Sequence, residues 1–160
     1  MGIEIERKFL VDHAKWQAIS KPEGRLFKQG YILSDDHRVV RIRVTDTVAY
    51  LTLKGSTTGI TRSEYEYEIP IADGNEILND LTVSKIEKTR YEIEVGGNTW
   101  EVDVFTGDNA GLIVAEIELN SEDQQFEKPD WVLQEVSTDN RYHNSNLAVT
   151  PYKNWGGVSI

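Results

Sequence analysis

At 160 residues, with 39% apolar residues that include four Trp, seven Tyr and four Phe, the chain is sized for one self-supporting domain over residues 1–160. It has no cysteine, which excludes disulfides, thiolate metal ligands and a cysteine nucleophile, and its net charge of −10 argues against nucleic acid or an acidic membrane as a partner. No apolar run is long enough for a membrane span, and Glu4 and Glu6 break the basic-then-apolar order of a signal peptide, so a cytoplasmic protein is expected.

The first strand is read over Met1–Val11. Its period-two alternation sets Glu4, Glu6 and Lys8 on one face and Ile3, Ile5, Phe9 and Val11 mostly on the other. Two carboxylates one pleat apart, followed by an ammonium, suit a hard divalent cation beside a polyanion; the same pattern also describes a half-buried strand with a wet outer side. Asp12 then caps a short helix carrying Trp16 and Ile19, which Lys21-Pro-Glu-Gly24 stops. Arg25–Leu33 and Val39–Thr45 form a hairpin about the turn Ser34-Asp-Asp-His37, and the return strand opposes Arg41 and Arg43 to Val40, Ile42 and Val44. Ala49–Gly55 opposes Thr52 and Lys54 to Leu51 and Leu53, and Gly55–Gly59 reads as a flexible polar loop.

Arg62–Ile69 carries Arg62, Glu64, Glu66 and Glu68 against Tyr65, Tyr67 and Ile69, and Pro70 ends it. A helix over about Gly74–Leu81 precedes Val83–Val95, where Lys88, Arg90, Glu92 and Glu94 share a face. Gly96-Gly-Asn98 turns the chain into Trp100–Phe105, which presents Glu101 and Asp103, and Leu112–Leu119 places Glu116 with Glu118. In the tail, Ser121-Glu-Asp-Gln resembles a capping box, so a helix start is expected there, curtailed by Pro129. A short strand around Trp131–Val136 and short helices beyond Asp139 complete the chain.

On these faces seven carboxylates (Glu4, Glu6, Glu64, Glu66, Asp103, Glu116, Glu118) stand with seven cations (Lys8, Arg41, Arg43, Lys54, Arg62, Lys88, Arg90). An ordinary solvated face mixes in uncharged polar residues freely. A closed sheet with these faces inward would enclose a tunnel with a carboxylate wall for cations and a cationic wall for phosphates; charged faces on both sides of a sandwich fit the same parity. His13, His37 and His143 have no partner at ligand spacing and read as surface residues. The four Trp read as packing aromatics, and the P-loop pattern G-x-x-x-x-G-K is absent.

Several motifs resemble one family in order. Glu4-Ile-Glu-Arg-Lys8 is similar to the E-x-E-x-K signature of the CYTH, or triphosphate tunnel metalloenzyme, superfamily. Arg41-Ile-Arg43, Thr52-Leu-Lys54-Gly55, Arg62-Ser-Glu64-Tyr-Glu66, Lys88-Thr-Arg90, Trp100-Glu-Val-Asp103 and Ala115-Glu-Ile-Glu118-Leu follow in sequence, nearly end to end. The resemblance implies a mainly β (α+β) fold, an eight-stranded antiparallel closed barrel with a few short helices. It implies triphosphate substrates and Mg²⁺ or Mn²⁺, as in inorganic, thiamine and RNA triphosphatases and class IV adenylyl cyclases.

Carried over by position, the resemblance implies that Glu4, Glu6 and Glu118 hold the metal, with Glu116 beside them as a second-site or water-orienting ligand. Lys8, Arg41, Arg43, Lys54, Lys88 and Arg90 would bind phosphate oxygens, guanidinium forks in bidentate fashion and lysines as point charges. Glu64 and Glu66 complete a second metal site or tether the cations, and Arg62 and Asp103 support them. The function expected is hydrolysis of a small-molecule substrate, inorganic tripolyphosphate, to diphosphate and phosphate by direct attack of metal-activated water. Nucleoside or thiamine triphosphatase, adenylyl cyclase, and a non-catalytic polyphosphate or nucleotide binder are the alternatives.

Overall fold

Nine strands form one antiparallel sheet in a computed structural model that describes residues 2–156. Met1, and residues 157–160 of the expected domain, lie outside the described residues. The strands are β1 (Ile3–Val11), β2 (Arg25–Ser34), β3 (Arg38–Val44), β4 (Ala49–Thr58), β5 (Thr61–Ile69), β6 (Ser84–Val95), β7 (Asn98–Phe105), β8 (Ile113–Glu118) and β9 (Val132–Glu135), with helices α1 (His13–Ala18), α2 (Ile71–Asp80) and α3 (Asn144–Leu147). Their order is β5-β4-β3-β2-β6-β7-β8-β1-β9, and β5 also pairs with β1. Eight strands therefore close a barrel. β1 shares its outer edge between β5, at Ile3–Ile5, and the extra strand β9, at Phe9 and Val11.

The apolar residues of the alternation point outward, and two external layers bury them. On the β1–β8–β7 side, Phe9, Val11, Trp100, Val102, Ala115 and Ile117 pack under Trp16 of α1 and Trp131 of the tail. Trp100 meets Phe9, Phe126 and Trp131 edge-on at centroid distances of 5.5, 5.7 and 6.0 Å, a geometry that aromatic quadrupoles favour. On the opposite side Ile42, Val44 and Ala49 pack under Leu78 of α2. Gly74 permits that approach, because a Cβ there would collide with the Ala49 methyl.

Local chemistry sets the boundaries. Asp12 caps α1 by accepting from the Lys15 backbone N–H at 3.0 Å, as expected. Gly96 and Gly97, at φ +59° and +83°, supply the two left-handed positions of a type I′ hairpin turn between β6 and β7. Helix α2 begins at Ile71, three residues before the expected start, directly after Pro70.

Two expectations fail. Gly55–Gly59 is not a free loop: β4 runs to Thr58, and the ladder to β5 resumes at Thr57↔Arg62 after an irregularity beyond Lys54. The Arg62 guanidinium donates twice to the Gly55 carbonyl, at 3.0 and 2.8 Å, and pins the irregularity. Ser121–Gln124 forms turns rather than a helix. The Ser121 hydroxyl donates to its neighbour Asp123 at 2.8 Å, and Phe126 is drawn onto Phe9 and Trp100, so the helical face is never assembled.

Candidate active site

Inside the barrel the charged faces line a cavity of about 210 Å³. Of the site residues expected from the sequence, Glu4, Glu6, Lys8, Arg41, Arg43, Lys54, Arg62, Glu64, Glu66, Lys88, Arg90, Glu116 and Glu118 all contribute to its wall. Asp103 lies behind it, fully buried. Strand register brings them together: Glu6 faces Glu118 and Lys8 faces Glu116 across β1 and β8, while Arg90 faces Asp103 across β6 and β7.

Buried charges need partners, and most of these have one. Lys8 lies 3.4 Å from Glu116, Lys54 3.3 Å from Glu4 and 3.2 Å from Glu64, and Arg41 3.4 Å from Glu66. Arg90 reaches Asp103 at 2.7 Å, Glu101 at 3.0 Å and Glu116 at 3.5 Å. Lys88 sits 2.6 Å from Asp103. The two signs therefore interlock, rather than standing as separate walls.

What remains unpaired is informative. Among the described residues Glu6, half-buried, and Glu118, exposed, stand opposite one another in register without an ion pair, and the half-buried Arg43 and Arg62 form none either. Arg43 donates only to the neutral Gln29 amide, at 2.9 Å, and Arg62 only to a backbone carbonyl. The buried Nε of Arg41 has no partner at all.

Titration follows this pairing. Burial pushes Glu6 well above the ordinary carboxylate range, and Glu116 and Glu4 push it further. Burial also raises Glu118, aided by Glu4, Glu64 and Glu101. Glu116 resists its own burial, since Lys8, Arg90 and Lys88 hold it well below that range. Burial draws Lys88 down to about 7 against the pull of Asp103, which divides its charge between Lys88 and Arg90. Burial, with Arg41 and Arg90 nearby, draws Arg43 to about 9; as a guanidinium it stays charged at neutral pH.

Deeper in the barrel the inward positions turn apolar. Leu10, Ile86, Phe105, Leu112 and Val114 pack there with Tyr142 and Leu147 from the C-terminal segment. That segment plugs the interior and adds Ser137, His143, Asn144 and Ser145 to the cavity wall.

The CYTH domain model matches residues 2–150. The chain belongs to the CYTH domain family. It is 52% identical over 156 residues to the inorganic triphosphatase of Acetivibrio thermocellus, covering 97% of this chain and 99% of that protein. It is 36% identical over 155 residues to the inorganic triphosphatase of Nitrosomonas europaea, covering 92% and 97%. The crystal structure of the inorganic triphosphatase NE1496 superposes with a TM-score of 0.63 at 34% identity, covering 91% of this chain and 94% of that one.

A divalent cation fits the acidic side of this CYTH barrel. Glu6 and Glu118, opposed and raised by burial, are carboxylates whose charge a cation would compensate. Among the described residues no three such side chains converge into a ready-made cage.

The expected surface placement holds for His37, which is exposed, and fails for His143. The plug carries His143 into the CYTH cavity, where burial and the nearby Lys8, Arg62 and Lys54 pull its pKa to about 4. Glu101, Tyr31 and Asn144 are further wall residues that sequence reasoning left out of the site. Glu101 shares the strand parity of Asp103, which was signal enough.

Proposed function

We propose that this protein hydrolyses inorganic tripolyphosphate to diphosphate and phosphate with the aid of Mg²⁺ or Mn²⁺, and that it does so in the cytoplasm. One observation carries the reading: carboxylates without cations (Glu6, Glu118) and guanidiniums without carboxylates (Arg43, Arg62) face the same small cavity. A metal ion and a phosphate chain complement those two deficits together. The names of the two relatives point to the same substrate, and a wall of charged side chains suits phosphates better than a nucleobase. No described helix is long and apolar enough to cross a membrane.

In this reading Glu4, Glu6 and Glu118 hold the cation. When bound, it supplies Lewis acidity at the terminal phosphoryl group and a water acidic enough to attack at neutral pH. Glu116, held ionised by Lys8 and Arg90, is a weak base for its kind and serves to orient the attacking water. Lys8, Arg41, Arg43, Lys54, Lys88 and Arg90 bind the phosphate oxygens and neutralise charge growing on the leaving diphosphate. Glu64, Glu66 and Asp103 hold those cations in place, and Arg62 braces the β4–β5 turn beside them.

The test is phosphate release from a panel of tripolyphosphate, ATP, thiamine triphosphate and diphosphate, with each metal. Tripolyphosphate should be turned over fastest and strictly with metal. Cyclic AMP formation, or tight binding of tripolyphosphate without turnover under either metal, would refute the reading.

A further inference from the structure

Lys88 is held from two sides. Its ammonium, 1% exposed, donates to Asp103 Oδ2 at 2.6 Å and to Asn144 Oδ1 at 2.8 Å. Asp103 also accepts from Arg90 through both of its oxygens, so the carboxylate alone does not fix where the ammonium points. An ammonium has three tetrahedral donors. With two of them committed, the direction of the third is set, and Lys88 borders the cavity.

Asn144 comes from outside the barrel wall. It opens α3, whose Leu147 is fully buried in the apolar plug beside Tyr142, Leu10 and Ile86. The same segment fixes the other wall lysine near the plug, because Lys8 Nζ donates to the Tyr142 carbonyl at 3.2 Å. Both lysines thus find uncharged acceptors on one piece of chain. A neutral acceptor steers an ammonium without cancelling the charge that a phosphate is to meet, which a carboxylate in its place would do.

We propose that Asn144 is a positioning residue for the reaction, aiming the third N–H of Lys88 at the bound phosphate chain from the C-terminal plug. This rests on the triphosphatase reading above. The charge state of Lys88 depends on its surroundings: Asp103 and Glu116 favour the ammonium, while burial, Arg90 and Arg43 oppose it. From the plug, Asn144 is neutral and His143 is held neutral.

The experiment compares the whole protein with Asn144→Ala, Asn144→Asp and Asn146→Ala in steady-state tripolyphosphate hydrolysis. Asn146 is exposed on the same short helix and its side chain donates only to the Asn140 carbonyl, so its variant loosens the segment without touching Lys88. Asn144→Ala should lower kcat by about ten- to a hundredfold with KM held within about threefold, the cost of a misaligned reacting group. Asn144→Asp should move the alkaline limb of the pH profile upward by about one unit, as a second carboxylate stabilises the ammonium. Asn146→Ala should stay within about twofold on both constants. The proposal falls if Asn144→Ala behaves like Asn146→Ala, if it raises KM and leaves kcat intact, or if the Asp variant leaves the profile in place. A wild type that releases no phosphate overturns the triphosphatase reading, and this one with it; an active wild type with indifferent Asn144 variants overturns this one alone.

Discussion

Asp103 grips Arg90 with both carboxylate oxygens, Nε to Oδ1 at 2.7 Å and Nη2 to Oδ2 at 2.8 Å, at zero solvent exposure. Lys88 shares the same carboxylate. Truncation by Asp103→Ala would strip Lys88 of its carboxylate and leave Arg90 only Glu101 and Glu116, and breaking a buried pair in this way costs about 3–5 kcal/mol. Urea unfolding should show that loss, whereas Asp103→Asn, which retains shape and one acceptor, should lose less. Equal stability of Asp103→Ala and wild type would mean that the two cations are solvated after all.

The two signs of the cavity should separate by thermal shift. Mg²⁺ or Mn²⁺ should raise the Tm of wild type and of Arg41→Ala, because a ligand at a hundredfold above its Kd adds about 2.7 kcal/mol. Glu6→Ala should lose that response, and without metal it should melt no earlier, since the half-buried carboxylate it removes is desolvated and repelled by Glu116 and Glu4. Arg41→Ala should instead lower kcat/KM by about 10²–10³, the usual loss for one preorganised charge contact. A metal response that survives in Glu6→Ala would misplace the ion.

Strand periodicity made the charged faces legible, since once β1 buries Phe9 and Val11 on one side, Glu4, Glu6 and Lys8 must share the other. That those faces line a closed barrel came from the family resemblance, because a sandwich fits the same parity. The same periodicity, carried one pleat back from Asp103, would have reached Glu101, which the expected site omits. The plug was not legible, since Asn144 meets Lys88 across 56 residues of chain, and the 137–147 segment has neither strand nor helical periodicity to announce an inner face. His143 was misread for that reason. The β4 extension stayed hidden because small polar residues read as loop until Arg62 binds the Gly55 carbonyl, a contact with no sequence signature.

His143 gives a pH signature in stability. Its pKa is near 4 in the fold against an ordinary value of 6.5, so protonation favours the unfolded chain. Its neutral form therefore supports the fold fully above about pH 6.5, and that support is lost as pH falls from there toward about 4. The groups facing it are Lys8, Arg62 and Lys54, which repel the imidazolium, and Glu116, which attracts it. In metal-free melts taken downward from about pH 7, wild type should lose more Tm than His143→Gln. Parallel curves would show that the imidazole is solvated.

The arrival of His143 and Ser145 at the cavity also sharpens the test of mechanism. With no cysteine in the chain, a neutral imidazole is the strongest candidate for a covalent phosphoryl carrier, since an unprotonated ring nitrogen is nucleophilic and burial keeps this one unprotonated. Against it stands the proposed cation site: an ion held by Glu6 and Glu118 would supply an attacking water, so that no carrier would be needed. The two routes differ in geometry at phosphorus. One in-line displacement by water inverts the centre, whereas transfer to His143 followed by hydrolysis inverts it twice and retains it. Tripolyphosphate made chiral at a terminal phosphorus with sulfur and oxygen isotopes should therefore give inverted product. His143→Gln should keep turning over substrate, and acid-labile, base-stable label should not accumulate on denatured protein. Net retention, together with loss of turnover in His143→Gln, would replace direct attack with a phosphohistidine route.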